Sequence, residues 1–270
     1  MQIKIDNTNL NYKTYGSGKP IYFFHGMGSD SRSLEVVYEP LFKSKSYKRI
    51  YLDLPGMGDS QDVHDVKNSD DILNLIIEFI RQTSDSEKIA IVGHSYGGYL
   101  CLGLLVKLSD QIDSAFITCP VIKADKVNRN VSTHKNINDG EVIVERNADK
   151  YQDFLGSNVL INQNAWDVYQ ATVLPGIEKY NREFWNNIKI EKKYQLSFEN
   201  KLSLTLSDLQ FQVTILLGKN DPVVGFQDQL SLLSSDNNIQ EVILNNAGHN
   251  LFTDISIDLN FYFNKFLKKY

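Results

Sequence analysis

Cysteine is nearly missing from this chain: its 270 residues include two, Cys101 and Cys119, each within an apolar stretch. So few cysteines leave no disulfide framework to expect, and two buried free thiols are the expected reading. Long apolar runs are missing too. None approaches the roughly 18 residues that a membrane-spanning helix needs, and the opening MQIKIDNTNL lacks the apolar core of a secretory signal. A soluble, cytoplasmic protein without a membrane span is therefore expected. There is no Lys/Arg-rich block, and the net charge is −5, which argues against a nucleic-acid or anionic-membrane partner. Neither H-E-x-x-H nor any Cys/His/Asp/Glu cluster at metal-ligand spacing occurs, so no metal is expected. The glycines of LDLPGMGDS (52–60) do not make G-x-G-x-x-G, because residue 61 is Gln. No dinucleotide site, and no cofactor of any kind, is expected.

What is present suits an ordinary globular protein: 42% hydrophobic and 23% charged residues, in a chain long enough to bury a sizeable core. Short β-branched runs alternate with amphipathic stretches through the first half. QIKI, LNYKTYG, IYFFHG, RIYLDLPG, KIAIVG and SAFITCP read as strands. Helical spacing is expected over Ser33–Lys43, Asp70–Gln82 and Tyr96–Lys107. Such alternation implies βαβ units on a mostly parallel sheet, with strands buried on both faces.

After Pro120 the rhythm breaks. Residues 121–206 are polar and Asn/Lys-rich, with helix-like pieces near 149–162, 163–173 and 177–188. The rhythm resumes with FQVTILLG, a helix over 225–234, IQEVIL and a final amphipathic helix from Thr253. The chain thus divides into a core, 1–120 plus 207–270, and an insertion, 121–206, too long for a plain loop.

One short stretch carries the chemistry. In GHSYGG (93–98) glycines flank Ser95 where a buried strand turns into a helix, at the carboxyl end of the sheet. Gly93 and Gly97 leave room for a sharp reversal that would hold Ser95 in a strained conformation with its hydroxyl projecting. The Tyr96 N–H, at the new helix's N-terminus, would then face a developing oxyanion. This pattern is the G-x-S-x-G nucleophile elbow.

With HGMG (25–28), LDLPGMGDS (52–60), GHSYGG, GKNDPVV (218–224) and AGHN (247–250) in this order, the chain resembles the α/β-hydrolase superfamily over nearly its whole length. The resemblance implies the α/β-hydrolase fold, with the insertion as a helical cap. A serine hydroxyl needs a base, itself oriented by a third group. Among five histidines, His249 follows a strand and is by its surroundings either that base or a loop histidine. The resemblance makes it the base. His94 should point away from the serine, and His64 and His134 should be solvated. Asp221, past the strand FQVTILLG, completes the order Ser…Asp…His, with Asp125 as a distant second choice. By the match to HGMG, Met27 N–H is the second oxyanion donor beside Tyr96 N–H.

The insertion carries Phe154, Trp166, Tyr169, Tyr180, Phe184 and Trp185. Most should form its own core. With His25, Trp166 and Trp185 are the expected pocket residues, and a largely apolar pocket for a substrate with a hydrophobic part is expected. The reading is a cofactor-free serine hydrolase, carboxylesterase-like, acting on a small-molecule acyl substrate. A proline-releasing aminopeptidase, a carbon–carbon bond hydrolase and an acyltransferase are alternatives on the same residues. The peptidase would need an acid near the pocket, for which Glu141, Glu145 and Glu178 are candidates. From another class, a small-molecule-binding protein retaining the hydrolase shell is the alternative.

Overall fold

The computed structural model describes residues 1–42, 46–86, 88–189, 192–202, 206, 209–233 and 238–270. Eight strands form one sheet: β1 (Gln2–Ile5), β2 (Thr8–Tyr15), β3 (Lys19–Phe24), β4 (Tyr47–Leu52), β5 (Ile89–His94), β6 (Ile112–Thr118), β9 (Gln212–Gly218) and β10 (Ile239–Leu244). Their order across the sheet is β1-β2-β4-β3-β5-β6-β9-β10. β2 runs antiparallel to β1 and β4, and every other pairing is parallel. This is the mostly parallel sheet that the alternation implies. Between β6 and β9 a two-residue pair, β7 (Ile137–Asn138) with β8 (Leu160–Ile161), stands apart from it.

Helices cover both faces. Successive side chains on a strand point to opposite sides, and β3 displays it. Tyr22 meets Phe79 of α2 (Ser69–Thr83), whereas Phe23 meets Tyr38 of α1 (Ser31–Tyr38) and Phe263 of the C-terminal helix (Ser256–Lys269). α2 begins with Asn68, whose side chain accepts from the Asp71 N–H, and carries Asp70 and Asp71 in its first turn, as a capped helix should. α3 (Tyr96–Lys107) matches the expected range and is buried on nearly all sides.

Other boundaries shift for physical reasons. Pro40 ends α1 early, converting Glu39–Leu41 to a 3₁₀ turn, and the expected end at Lys43 lies outside the described residues. In the insertion, α4 (Tyr151–Ser157) stops before β8, so the stretch near 149–162 is not one helix. α5 (Gln163–Thr172) starts on an Asn162 cap. The expected helix over 177–188 is broken into α6 (Leu174–Glu178) and α7 (Arg182–Lys189). In the second half, α8 (Gln227–Leu233) precedes β10, and Ser234, its expected end, lies outside the described residues. α9 (Leu251–Asp254) precedes α10, the C-terminal helix.

Phe154, Ile161, Ala165, Trp166, Tyr169 and Leu174 form a small hydrophobic cluster within residues 121–206. Trp185, Ile188, Leu196 and Leu202 instead join the main core. No helix among the described residues is long and apolar enough to cross a membrane. Both cysteines are buried and free.

Candidate active site

Ser95 sits between the end of β5 and the first residue of α3, at φ 54° and ψ −113°. A non-glycine residue held there is strained, and the surrounding glycines explain how the strain is sustained. A Cβ on Gly97 would lie 2.0 Å from the Phe24 carbonyl oxygen and 2.5 Å from that of His25. A Cβ on Gly93 would lie 2.6 Å from Cys101 Sγ and 2.7 Å from the Gly97 carbonyl oxygen. α3 therefore starts hard against β3 and β5 only because these residues lack side chains.

His249 reaches the serine from the loop after β10. Its Nε2 lies 2.8 Å from Ser95 Oγ, and its Nδ1 lies 2.8 Å from Asp221 Oδ2. Asp221 is fully buried after β9, and its Oδ1 accepts the Val223 and Val224 N–H groups at 2.7 and 3.0 Å. Burial raises the Asp221 pKa, but His249 and the two amides outweigh it, leaving the carboxyl below its ordinary range. With Nδ1–H donated to a carboxylate, Nε2 is left to accept from the serine hydroxyl. Asp125, the second choice, instead caps a 3₁₀ turn by accepting the Val127 N–H, and is exposed.

The loop 25–28 abuts the serine, since a Cβ on Gly26 would come within 3.2 Å of Ser95 Cβ. His25 serves this loop from inside rather than lining a pocket. It is fully buried; its Nδ1 lies 2.8 Å from the Gly26 carbonyl oxygen, and its Nε2 accepts the Leu54 N–H at 3.0 Å. Burial lowers its pKa, so it stays neutral in the tautomer those partners require. Through Leu54 it ties the loop to LDLPGMGDS, where Asp53 accepts the Ser31 and Asp59 N–H groups, each at 2.9 Å.

Trp166 is also displaced from its expected place. It packs among Phe154, Tyr151 and Tyr169, and with Glu145 it borders a separate cavity that none of Ser95, Asp221 or His249 lines. Trp185 is fully buried edge-on to Tyr96, with ring centroids 5.1 Å apart, and its indole N–H has no partner among the described residues. It supports Tyr96 from behind.

A cavity of about 720 Å³ is bordered by Met27, Lys123, Lys126, Lys189, Lys192 and Tyr194, with Asp125 and Glu199. Its wall combines four lysines with Met27, Ala124 and Tyr194. Of the aromatic residues in 121–206, Phe154, Trp166 and Tyr169 pack in a cluster of their own, whereas Trp185 packs in the main core with Tyr180 and Phe184 against it. Glu141, Glu145 and Glu178 are exposed and are not among its lining residues.

Three residues to which the sequence reading gave no catalytic part complete the surroundings. His94 lies with its ring 5.1 Å from that of His249, and its Nδ1 is 3.0 Å from Thr118 Oγ1. Burial first, and the neighbouring His249 second, push its pKa down to about 3. Asp254 accepts the Gly248 N–H at 2.7 Å, and also the Val159 and Leu160 N–H groups at 3.2 and 2.9 Å. It links the His249 loop to the insertion, and no motif announces it. Cys119, at φ 43°, brings its thiol among Asp221 and His249, with ligand atoms within 4.8 Å of one another. Burial, with the Asp221 charge beside it, pushes that thiol well up. His134 is not simply solvated: its Nε2 lies 2.8 Å from the Leu155 carbonyl oxygen.

Residues 19–254 match the family described as alpha/beta hydrolase fold. The chain belongs to the α/β-hydrolase fold family. A crystal structure of an alpha/beta superfamily hydrolase from Oenococcus oeni PSU-1 is 38% identical, with a TM-score of 0.92, covering 100% of this chain and 98% of that one. A dihydrolipoyllysine-residue acetyltransferase component of an acetoin cleaving system, from Cupriavidus necator, is 29% identical over 125 residues, 46% of this chain. A Mycoplasma pneumoniae protein named for an inferred esterase/lipase activity is 28% identical over 116 residues, 41% of this chain. The alignments span only 33% and 41% of those two relatives' lengths.

Proposed function

We propose that this α/β-hydrolase family member is a serine hydrolase acting through an acyl-enzyme on a small carboxylic ester. The observation that carries this reading is the continuous chain from Ser95 Oγ through His249 to Asp221, both links 2.8 Å, at a serine held at φ 54°. His249 Nε2 takes the hydroxyl proton as Ser95 Oγ attacks the carbonyl carbon. The imidazolium then forms against the Asp221 carboxylate, which stabilises its charge and keeps the ring oriented. The oxyanion is received by the N–H groups of Met27 and Tyr96; loss of one such donor typically costs about 10²–10³ in rate. His249 returns its proton to the leaving alcohol. A water then repeats the sequence with the acyl-enzyme, regenerating Ser95. No step calls for a metal or redox cofactor. The insertion 121–206 acts as the cap over this site.

The ester class is favoured over the aminopeptidase by the lining of the cavity. A substrate ammonium would meet lysines, and the two acids there already accept protein donors: Glu199 from Ala124 N–H and Gln195, Asp125 from Val127 N–H and Asn128. The test compares short ethyl esters with prolyl amides, using wild type beside Ser95→Ala. Ester turnover lost in the variant supports the reading. Amide turnover without ester turnover moves the assignment to a peptidase, and a wild type as inert as Ser95→Ala moves it to a binding protein.

A further inference from the structure

Three of the four lysines bordering the cavity form no ion pair among the described residues. Lys123 pairs with Asp228 at 2.7 Å. Lys126 and Lys192 have no carboxylate partner among the described residues, and Lys189 contacts only the Tyr180 hydroxyl, at 2.9 Å, and ring. Burial, then the neighbouring charges of Lys126 and Arg182, lower the Lys189 pKa. Behind them Arg129 is fixed by the carbonyls of Lys123, Ala124 and Val223 rather than by a carboxylate, and its charge acts on the Tyr194 hydroxyl. Tyr194 in turn stacks on Tyr96, with ring centroids 5.0 Å apart.

Like charges gathered at one concavity repel one another, and here three exposed lysines share one in a chain whose net charge is −5. The two carboxylates that border the cavity among the described residues accept protein donors, Glu199 from the Tyr99 hydroxyl and the Ala124 N–H, Asp125 from its own turn. Lys192 even adopts φ 62°, a backbone conformation costly for lysine. What remains is a concave site of ligand size beside the loop that carries Met27, bordered by three exposed lysines that form no ion pair among the described residues.

We propose that the substrate is an anionic ester, whose carboxylate or phosphate group is held by Lys126, Lys189 and Lys192 while its ester carbonyl reaches Ser95. This rests on the serine hydrolase reading for its turnover and on the cavity alone for its binding. The lysine stems supply apolar surface for a short alkyl spacer, and the ammonium heads receive the anion. The basic lining also raises the local concentration of an anionic substrate, an effect that salt screens.

The experiment uses monoethyl adipate against ethyl heptanoate, near-isosteres differing in charge. For the wild type, kcat/KM for the monoanion should exceed that for the neutral ester at least tenfold in low salt, and the ratio should collapse at high salt. Lys126→Gln/Lys189→Gln/Lys192→Gln should lose the preference for the monoanion over ethyl heptanoate, and the triple Arg variant should retain it. Calorimetry with Ser95→Ala gives a second readout: binding of monoethyl adipate should weaken at least tenfold when the three Gln changes are added. Equal use of both esters by wild type and the Gln variant overturns the anion site while leaving the hydrolase reading intact. Lysine-dependent binding without turnover by wild type overturns the hydrolase reading and leaves the anion site standing. Absence of both lysine-dependent binding and charge preference overturns the proposal outright.

Discussion

Asp221 Oδ2 stands 2.8 Å from His249 Nδ1, at the end of one strand facing the loop after the next. The same carboxylate is anchored through its other oxygen by two backbone amides. Its position is thus fixed by β9 and its turn before the histidine arrives. Asp221→Asn would retain the shape but offer an amide that can donate toward Nδ1, favouring the wrong imidazole tautomer. The expected loss in kcat is about 10³–10⁴-fold, measured on any ester the wild type turns over.

The carboxyl also carries a stability signature. Because His249 and the amides lower its folded pKa, Asp221 contributes stability that is present above its unfolded pKa and lost as pH falls through the folded one. Chemical denaturation as a function of pH should show acid destabilisation that is smaller in Asp221→Asn.

The elbow makes a second, steric prediction. Gly97→Ala places a methyl 2.0 Å from the Phe24 carbonyl oxygen, an overlap with backbone that no rotamer change relieves. Stability should fall by roughly 3 kcal/mol or more, or the chain should fail to accumulate folded. Gly156→Ala is the contrast, since nothing lies within 4 Å of its Cβ on α4. That change should be neutral or stabilising by up to about 1 kcal/mol. Thermal melts of the two variants check both.

Asp254 predicts a pH dependence of opposite sign to that of Asp221. Burial pushes its carboxyl up to about 6 despite the three amides it accepts. Raised above its unfolded value, the group stabilises fully below the unfolded pKa, and that contribution is lost as pH rises through about 6. Between pH 4 and 7 the wild type should lose roughly 2 kcal/mol relative to Asp254→Asn, read from paired denaturation curves. The Asn variant also puts an amide where Gly248, Val159 and Leu160 donate, so the His249 loop should loosen and kcat fall at every pH.

Much of this arrangement could be read in the sequence because strand ends and glycines carry local signals. GHSYGG between an apolar run and a helical one could reverse direction only with small residues, so the elbow and its position at the sheet edge followed from chemistry over six residues. Asp221 and His249 each sit just after a strand of the same parallel sheet, which places them on one edge. The pocket could not be read this way. Trp166 and Tyr169 share a helix face, but whether that face meets a cavity or Phe154 depends on how α4 and α5 pack. His25 looked like a pocket residue because HGMG is a loop motif, yet its two ring nitrogens are committed to backbone groups that lie 1 and 29 residues away. Asp254 gave no signal, since its partners Val159 and Leu160 come from a distant segment.

The central claim is that His249 activates Ser95 for attack on an acyl carbon or its phosphorus analogue. Labelling with a fluorophosphonate probe, read by intact mass, tests it most directly in wild type, Ser95→Ala and His249→Ala. The account predicts one adduct per chain on wild type, mapped to Ser95, none on Ser95→Ala, and labelling slowed by orders of magnitude on His249→Ala. Folded wild type that takes up no probe, or that labels equally fast without His249, would contradict it.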